Sequence, residues 1–376
     1  MAPTKQQVLD SLAKIAGPDG APLTASGKLS DVMVSDGKVF FSITVDAAAV
    51  QAWEPVRDRA EAAARAVPGV QSALVALTAE RKGSGSPPGA GGPRPTTPAQ
   101  PAARGGAPSP IGVPGVEAII AVASGKGGVG KSTTSVNLAL GLRDLGLKVG
   151  ILDADIYGPS LPKLLAIKER PQTLGGTRLK PITRYGLTVM SIGFLIDEET
   201  PMIWRGPMVI SALTQMLREV EWGALDVMVV DMPPGTGDAQ LTMAQQVPLK
   251  GAVIVSTPQD LALIDARRGI AMFRKVNVPV LGIIENMSYF LCPQCGTRSD
   301  IFSHGGARHE AERLGVPFLG EVPLHMDIRE KSDAGLPVVA TAPDGPLAAI
   351  YRDIAAKVRD QLKGATRVAP NIVIEA

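Results

Sequence analysis

Cysteine is scarce in this 376-residue chain: there are two, Cys292 and Cys295, beside three histidines, His304, His309 and His325. Two cysteines in so long a chain cannot make a disulfide scaffold, so a reducing compartment is expected, the cytoplasm. Long apolar runs are missing too. None approaches the ~18 residues that span a bilayer. The opening MAPTKQQVLDSLAKIAG lacks the continuous apolar core of a secretory signal. There is also no excess of one charge: 38 Lys and Arg face 36 Asp and Glu, for a net +2. That balance argues against a protein that coats a polyanion. Neither a membrane nor a nucleic acid is expected as partner.

One segment, 81–115, lacks acidic and aromatic residues altogether and packs nine Pro and nine Gly into 35 positions. Such a stretch cannot bury enough apolar surface to offset the entropy of ordering it. It is expected to be a flexible linker. It divides a small unit, 1–80, from a large one, 116–365, and residues 366–376 form a tail.

The small unit reads helix, strand, strand, helix, strand, from KQQVLDSLAKIA, LSDVMVSDGKVFFSITV, EPVRDRAEAAARAV and VQSALVAL. This is a compact α+β domain with no Cys and no His. In the large unit, short apolar strands alternate with helical patterns. AIIAVAS, KVGILDAD, LTVMSIGF, LDVMVVDMP, GAVIVSTP, PVLGIIENM, PFLGEVP and LPVVAT read as strands. Several are apolar throughout, as strands covered on both faces are. The order predicts an α/β fold with a doubly wound, mostly parallel sheet.

Directly after the first of these strands comes SGKGGVGKSTT, Ser124 to Thr134. Gly125, Gly130, Lys131 and Ser132 satisfy the phosphate-loop spacing, in the strand–loop–helix context that the motif requires. Gly125, Lys126, Gly127, Gly128, Val129, Gly130, Lys131, Ser132 and Thr133 are the candidate nucleotide contacts. The glycines let backbone N–H groups surround a phosphate chain, and the following helix adds its positive end. Lys131 is expected on the β- and γ-phosphates and the Ser132 hydroxyl on Mg²⁺. The second lysine, Lys126, is either a finger reaching a nucleotide in a facing subunit or a solvated cation. Asp153 and Asp155 end one strand and Asp231 another, at the sheet edge where ligands bind. Asp231 is the expected Mg²⁺ carboxylate and Asp155 the candidate that orients the attacking water. Gly235 and Gly237 free the next loop to respond to the γ-phosphate.

The pair in FLCPQCGT, Cys292 and Cys295, fits a redox disulfide, half a zinc site or half an iron–sulfur site. Redox chemistry fits least, because Pro293 and Gly296 suggest a tight turn rather than a helix start after a strand.

KGGVGKST with its extra lysine resembles the deviant phosphate loop of the MinD/ParA-like ATPases. Together with DADIYGPS, WRGPM, DMPPGTGD, ENMSYF and CPQCG, it looks like the Mrp/ApbC (Nbp35-like) iron–sulfur carrier ATPases over roughly 116–365. The small unit resembles a domain that precedes this ATPase in bacterial members and occurs alone in iron–sulfur assembly. The resemblance implies an ATPase that carries [4Fe–4S] clusters to apoproteins, with ATP and Mg²⁺ as cofactors and iron–sulfur assembly factors as further partners. It implies that Lys126 contacts nucleotide across a homodimer. Lys131 and Ser132 would serve phosphate and Mg²⁺, and Asp155 and Asp231 would be the two switch carboxylates. Asn286 would meet the adenine, and Cys292 and Cys295 would ligate the cluster. HGGARHEAERLG and PLHMDIRE depart from the pattern without touching a proposed ligand.

A cubane takes about four thiolates, and one chain has two. A two-fold dimer supplies the rest and places Lys126 in trans as well. Two rival classes fit the sequence less well. A MinD- or ParA-like positioning ATPase wants a basic amphipathic C-terminal helix or a basic patch, and the ending ATRVAPNIVIEA is a poor match. A nitrogenase-type reductase would space its ligand cysteines far apart.

Overall fold

A computed structural model describes residues 3–18, 20–30, 32–35, 37–46, 49–70, 72–80, 112–175, 178–195 and 206–364. The expected linker positions 81–111, Trp204 and Arg205 of WRGPM, and the tail 366–376 lie outside the described residues. The chain divides into two compact units, Met1–Ser109 and Pro110–Ala376.

The first unit runs α1 (Lys5–Leu12), β1 (Met33–Ser35), β2 (Lys38–Asp46), α2 (Val50–Arg65) and β3 (Ser72–Glu80). Helix α1 begins with a capping box, in which Thr4 and Gln7 satisfy each other's backbone amides. β1 and β2 pair antiparallel across a short turn, and α2 carries the chain over to β3, which pairs parallel to β2. The buried side of this layer holds Val8, Leu12, Phe41, Ile43 and Trp53.

The second unit is built on a nine-stranded sheet. Its early elements are β4 (Val116–Ala123), α3 (Lys131–Asp144), β5 (Val149–Asp153), α4 (Leu161–Leu164), β6 (Gln172–Thr173), β7 (Leu179–Lys180), β8 (Ile182–Arg184) and β9 (Leu187–Ser191). Then come α5 (Gly206–Arg218), β10 (Leu225–Asp231), α6 (Asp238–Gln246), β11 (Leu249–Ser256), α7 (Asp260–Lys275), β12 (Val280–Leu291) and β13 (Arg298–Ser299). The last elements are α8 (Gly306–Leu314), β14 (Phe318–Leu324), α9 (Met326–Asp333), α10 (Val338–Thr341) and α11 (Pro346–Gly364).

The strand order is β13-β12-β11-β4-β10-β5-β9-β8, with β14 also paired to β12. All neighbours are parallel except the short edge pairs β12/β13 and β8/β9. Central strands such as β4 and β10 are buried on both faces, which is why they read as unbroken apolar runs. The fold class is the expected doubly wound α/β sheet preceded by a small α+β domain. No described helix is long and apolar enough to cross a membrane.

Two strand readings fail in part. LPVVAT folds as the short helix α10, with Pro337 as its N-cap at φ −52. The Val339 amide donates to the Asn137 side chain on α3, at 3.2 Å, and both valines are buried. In LTVMSIGF the strand stops at Ser191, whose hydroxyl accepts from the Gly193 amide and starts a 3₁₀ turn.

Candidate functional site

The loop between β4 and α3 holds its shape through glycine and through two neighbours. Gly128 and Gly130 have φ of +80 and +78, in the left-handed region that glycine enters freely. A Cβ on Gly125 would lie 2.3 Å from the Asp265 carbonyl carbon of α7. A Cβ on Gly130 would lie 2.2 Å from Asn286 Nδ2 on β12. The same Asn286 Nδ2 donates to the Val129 carbonyl at 2.8 Å, so β12 braces the loop from behind. Gly127 and Gly128 face open space.

Parallel register brings the carboxylates together. Asp231, at the end of β10, is the direct partner of Asp153, at the end of β5. Lys131 Nζ lies 2.8 Å from Asp231 Oδ1 and 3.1 Å from Ser132 Oγ. Ser135, one turn further along α3, donates to the same Asp231 Oδ1 at 2.6 Å. Asp231 Oδ2 is buried without a hydrogen-bond partner. A buried carboxylate oxygen left open is costly. That oxygen and the Ser132 hydroxyl, 3.1 Å from the same Lys131 Nζ, are hard oxygen donors of the kind that Mg²⁺ takes.

Asp153 is different. It is fully buried and accepts from the Asp155 amide (3.2 Å), the Ser160 amide (2.9 Å), the Leu161 amide (3.1 Å) and the Ser191 hydroxyl (3.0 Å). It ties the loop carrying Asp155 back to the sheet. Burial, with the Asp231 charge adding to it, pushes Asp153 up to about 7. Burial also raises Asp155, against the pull of Lys131. The loop after β10 is tethered to the phosphate loop by the Gly235 amide on the Ser124 carbonyl, at 3.0 Å. Lys126 is half-buried. Its carbonyl accepts from Ser124 Oγ at 2.9 Å, and its ammonium makes no ion pair among the described residues. The Thr133 carbonyl accepts from Asn137 Nδ2 at 2.9 Å.

The thiols stand at a hairpin. β12 runs on past its pairing with β11 and pairs with β13, Leu291 opposite Arg298. Between them the Gly296 amide donates to the Cys292 carbonyl (2.8 Å) and the Cys292 amide to the Thr297 carbonyl (3.0 Å). Gly296 turns the chain at φ +71. Cys295 is exposed and Cys292 half-buried, and both are free. The Thr297 hydroxyl, 3.2 Å from Cys295 Sγ, holds that thiol below its ordinary range. Among the described residues no group of three His, Cys, Asp or Glu side chains is close enough to hold a metal ion. The histidines are placed elsewhere: His304 on Ser288, His309 exposed on α8, and His325 capping α9.

The family model described as NUBPL iron-transfer P-loop NTPase matches residues 115–359. The chain belongs to this family. A second model, described as iron–sulfur cluster assembly protein, matches residues 5–75. The iron–sulfur cluster transfer protein NUBPL of Dictyostelium discoideum is 52% identical over 272 residues, covering 70% of this chain and 84% of that protein. The iron–sulfur cluster carrier protein of Escherichia coli K12 is 55% identical over 260 residues, covering 69% of this chain and 70% of that one. A nucleotide-binding protein from Archaeoglobus fulgidus, solved in complex with ADP, superposes with a TM-score of 0.54 at 39% identity, covering 62% of this chain and 91% of that one. The septum site-determining protein MinD of Pyrococcus horikoshii shares the fold, at 21% identity and a TM-score of 0.50, over 67% of this chain and all of that one.

In this NUBPL-family domain, sequence reasoning missed two buried polar residues. Ser135 follows the phosphate-loop motif by one helical turn, and that spacing from Lys131 was the available signal. Glu285 lies inside an apolar strand, where a lone carboxylate is itself the signal.

Proposed function

We propose that this chain is an ATP-hydrolysing carrier of iron–sulfur clusters, holding a [4Fe–4S] cargo at Cys292 and Cys295. The observation that carries the reading is the thiol hairpin itself: two free cysteines on an exposed turn, with no third ligand nearby among the described residues, on the same domain as a phosphate loop. The names of the relatives support the cargo. Two ligands are half of a cubane's set, so a second copy of this chain supplies the other half, and the carrier is a homodimer. In that dimer Lys126, with no ion-pair partner among the described residues, reaches the facing nucleotide. Recipients are apoproteins, and iron–sulfur assembly factors are further partners.

In each subunit the phosphate loop binds ATP through its backbone amides and Lys131. Ser132 and Asp231 would hold Mg²⁺, which would neutralise charge on the phosphates. Asp155 orients the attacking water, and Asn286 lies behind the loop near the base. ATP turnover shifts the loops at Asp155 and Asp231 and thereby the hold on the cluster.

Anaerobic reconstitution with iron and sulfide tests the reading. A broad visible band and a doubled mass by sedimentation are expected, and both are lost in the Cys292→Ser, Cys295→Ser double variant. A colourless protein with stoichiometric zinc sinks the cluster assignment. Equal transfer rates to an apoprotein with and without ATP sink the coupling.

A further inference from the structure

Glu285 lies inside β12 with no exposed surface, and the nucleotide chemistry makes no use of it. Its oxygens are nonetheless fully engaged. Oε1 accepts from the Ser288 hydroxyl at 2.6 Å and from the Gly305 amide at 3.0 Å. Oε2 accepts from the Ala307 amide at 2.7 Å. Ser288 lies at the irregular step of β12, between Asn286 and Phe290, on the way to the hairpin. Gly305 and Ala307 lie where the chain returns and enters α8. One carboxylate thus closes the neck of the excursion that carries both thiols. The first amides of α8 lack helical partners and carry the positive end of its dipole, so an anion there is well placed. His304 stands at the rim, its Nδ1 3.0 Å from Ser288 Oγ and 3.8 Å from Glu285 Oε1.

The next residue points the other way, as successive residues of a strand do. Asn286 reaches through the sheet edge to the Val129 carbonyl of the phosphate loop. Beyond it the strand is irregular: its register against β14 shifts between Asn286 and Phe290, and Met287 sits at φ +53. A non-glycine residue in that region is held there by its surroundings. The surroundings here are the loop contact on one side and the closed neck on the other.

We propose that Glu285 is the positioning residue of the thiol pair, and that Glu285 and Asn286 together make β12 the joint between phosphate loop and hairpin. The proposal rests on the reading of Cys292 and Cys295 as cluster ligands. Opening the neck lets the two thiols drift apart from their cluster-binding spacing. The nucleotide site, held by Asn286, stays intact.

The chain's only two cysteines are both in the hairpin, so maleimide labelling of the full chain reports on that hairpin alone. Wild type, Glu285→Gln and Ser288→Ala are compared for labelling rate, affinity for a fluorescent ADP analogue, and iron retained after anaerobic reconstitution. Glutamine keeps an oxygen for Ser288 and Gly305 but turns an amide donor toward the Ala307 amide. In Glu285→Gln the half-buried Cys292 is expected to label about tenfold faster, the factor for one strong hydrogen bond, while exposed Cys295 labels as in wild type, and iron is lost sooner at unchanged ADP affinity. Ser288→Ala moves the same way by less. Mg-ADP alters labelling in wild type and not in Glu285→Gln. Wild-type labelling and iron retention in both variants overturn the positioning role. A wild-type labelling rate indifferent to nucleotide overturns the joint. If Glu285→Gln does not melt cooperatively, Ser288→Ala decides. Wild type that takes up no iron sinks the cluster reading, and the labelling contrast still decides what Glu285 does.

Discussion

Lys131 Nζ and Asp231 Oδ1 are 2.8 Å apart, the lysine 6% exposed and the carboxylate fully buried. The phosphate-loop lysine is parked on the carboxylate that ends β10, 100 residues away in the chain. On the proposed reading, an incoming phosphate takes the lysine from this partner. Asp231 is then left with Ser135 and with the metal that its open Oδ2 suits.

Lys131→Ala strands a buried carboxylate. Breaking a buried pair by removing one partner costs about 3–5 kcal/mol, so the nucleotide-free variant should unfold at clearly lower denaturant. ADP binding should be lost as well. A denaturant titration with unchanged midpoint would show that the ion pair carries no stability.

Mg²⁺ should strengthen ADP binding through Asp231. In Asp231→Asn the affinity is expected to become the same with Mg²⁺ and with EDTA, while wild type binds more tightly with the metal. Calorimetry under both conditions checks this. A Mg²⁺ increment retained in the variant places the metal elsewhere.

Asp153 gives the folded protein a sensitivity to pH. Burial and the neighbouring Asp231 push it up to about 7, against the ordinary 3.8. Between those values the folded state holds a proton that the unfolded state has released, so stability falls as pH rises through the window and levels off above 7. Asp155 is raised for the same main reason and adds in the same direction. Denaturation midpoints of the nucleotide-free protein between pH 5 and 8 should therefore decline, and Asp153→Asn should flatten the decline.

Gly130→Ala combines two penalties. Alanine at φ +78 costs roughly 1–2 kcal/mol, and its Cβ would meet Asn286 Nδ2 at 2.2 Å. The variant should fold with reduced stability and fail to bind ADP. Gly146→Ala, at φ +87 with nothing within 4 Å and outside the phosphate loop, should lose stability but bind normally. Equal affinity in the two variants would show that Asn286 does not brace the loop.

The phosphate loop, the parallel sheet and the thiol pair were legible because each depends on local chemistry. A loop that surrounds phosphate needs its glycines at fixed spacing, and strands covered on both faces need unbroken apolar runs. Asp153, Asp155 and Asp231 were legible as a group at strand ends. Their division of labour was not. The four donors around Asp153 come from residues 155, 160, 161 and 191, and no motif spacing predicts that convergence. LPVVAT shows the opposite failure. Its valines favour a strand, but strand propensity yields to context, and Asn137 of α3 offers that segment a hydrogen bond that fixes it as a helix.

By itself the sequence determined that a nucleotide-binding loop sits between a buried strand and a helix, and that two thiols share one tight turn, because backbone freedom and side-chain spacing are properties of short segments. Only the tertiary structure decided that Asp231, rather than Asp153, has an oxygen to spare, that Asn286 props the loop, and that Glu285 closes the neck below the thiols. Those roles depend on which donors reach a buried oxygen. That is decided by packing between segments up to 157 residues apart, because a buried polar atom must find its partner wherever the fold brings one.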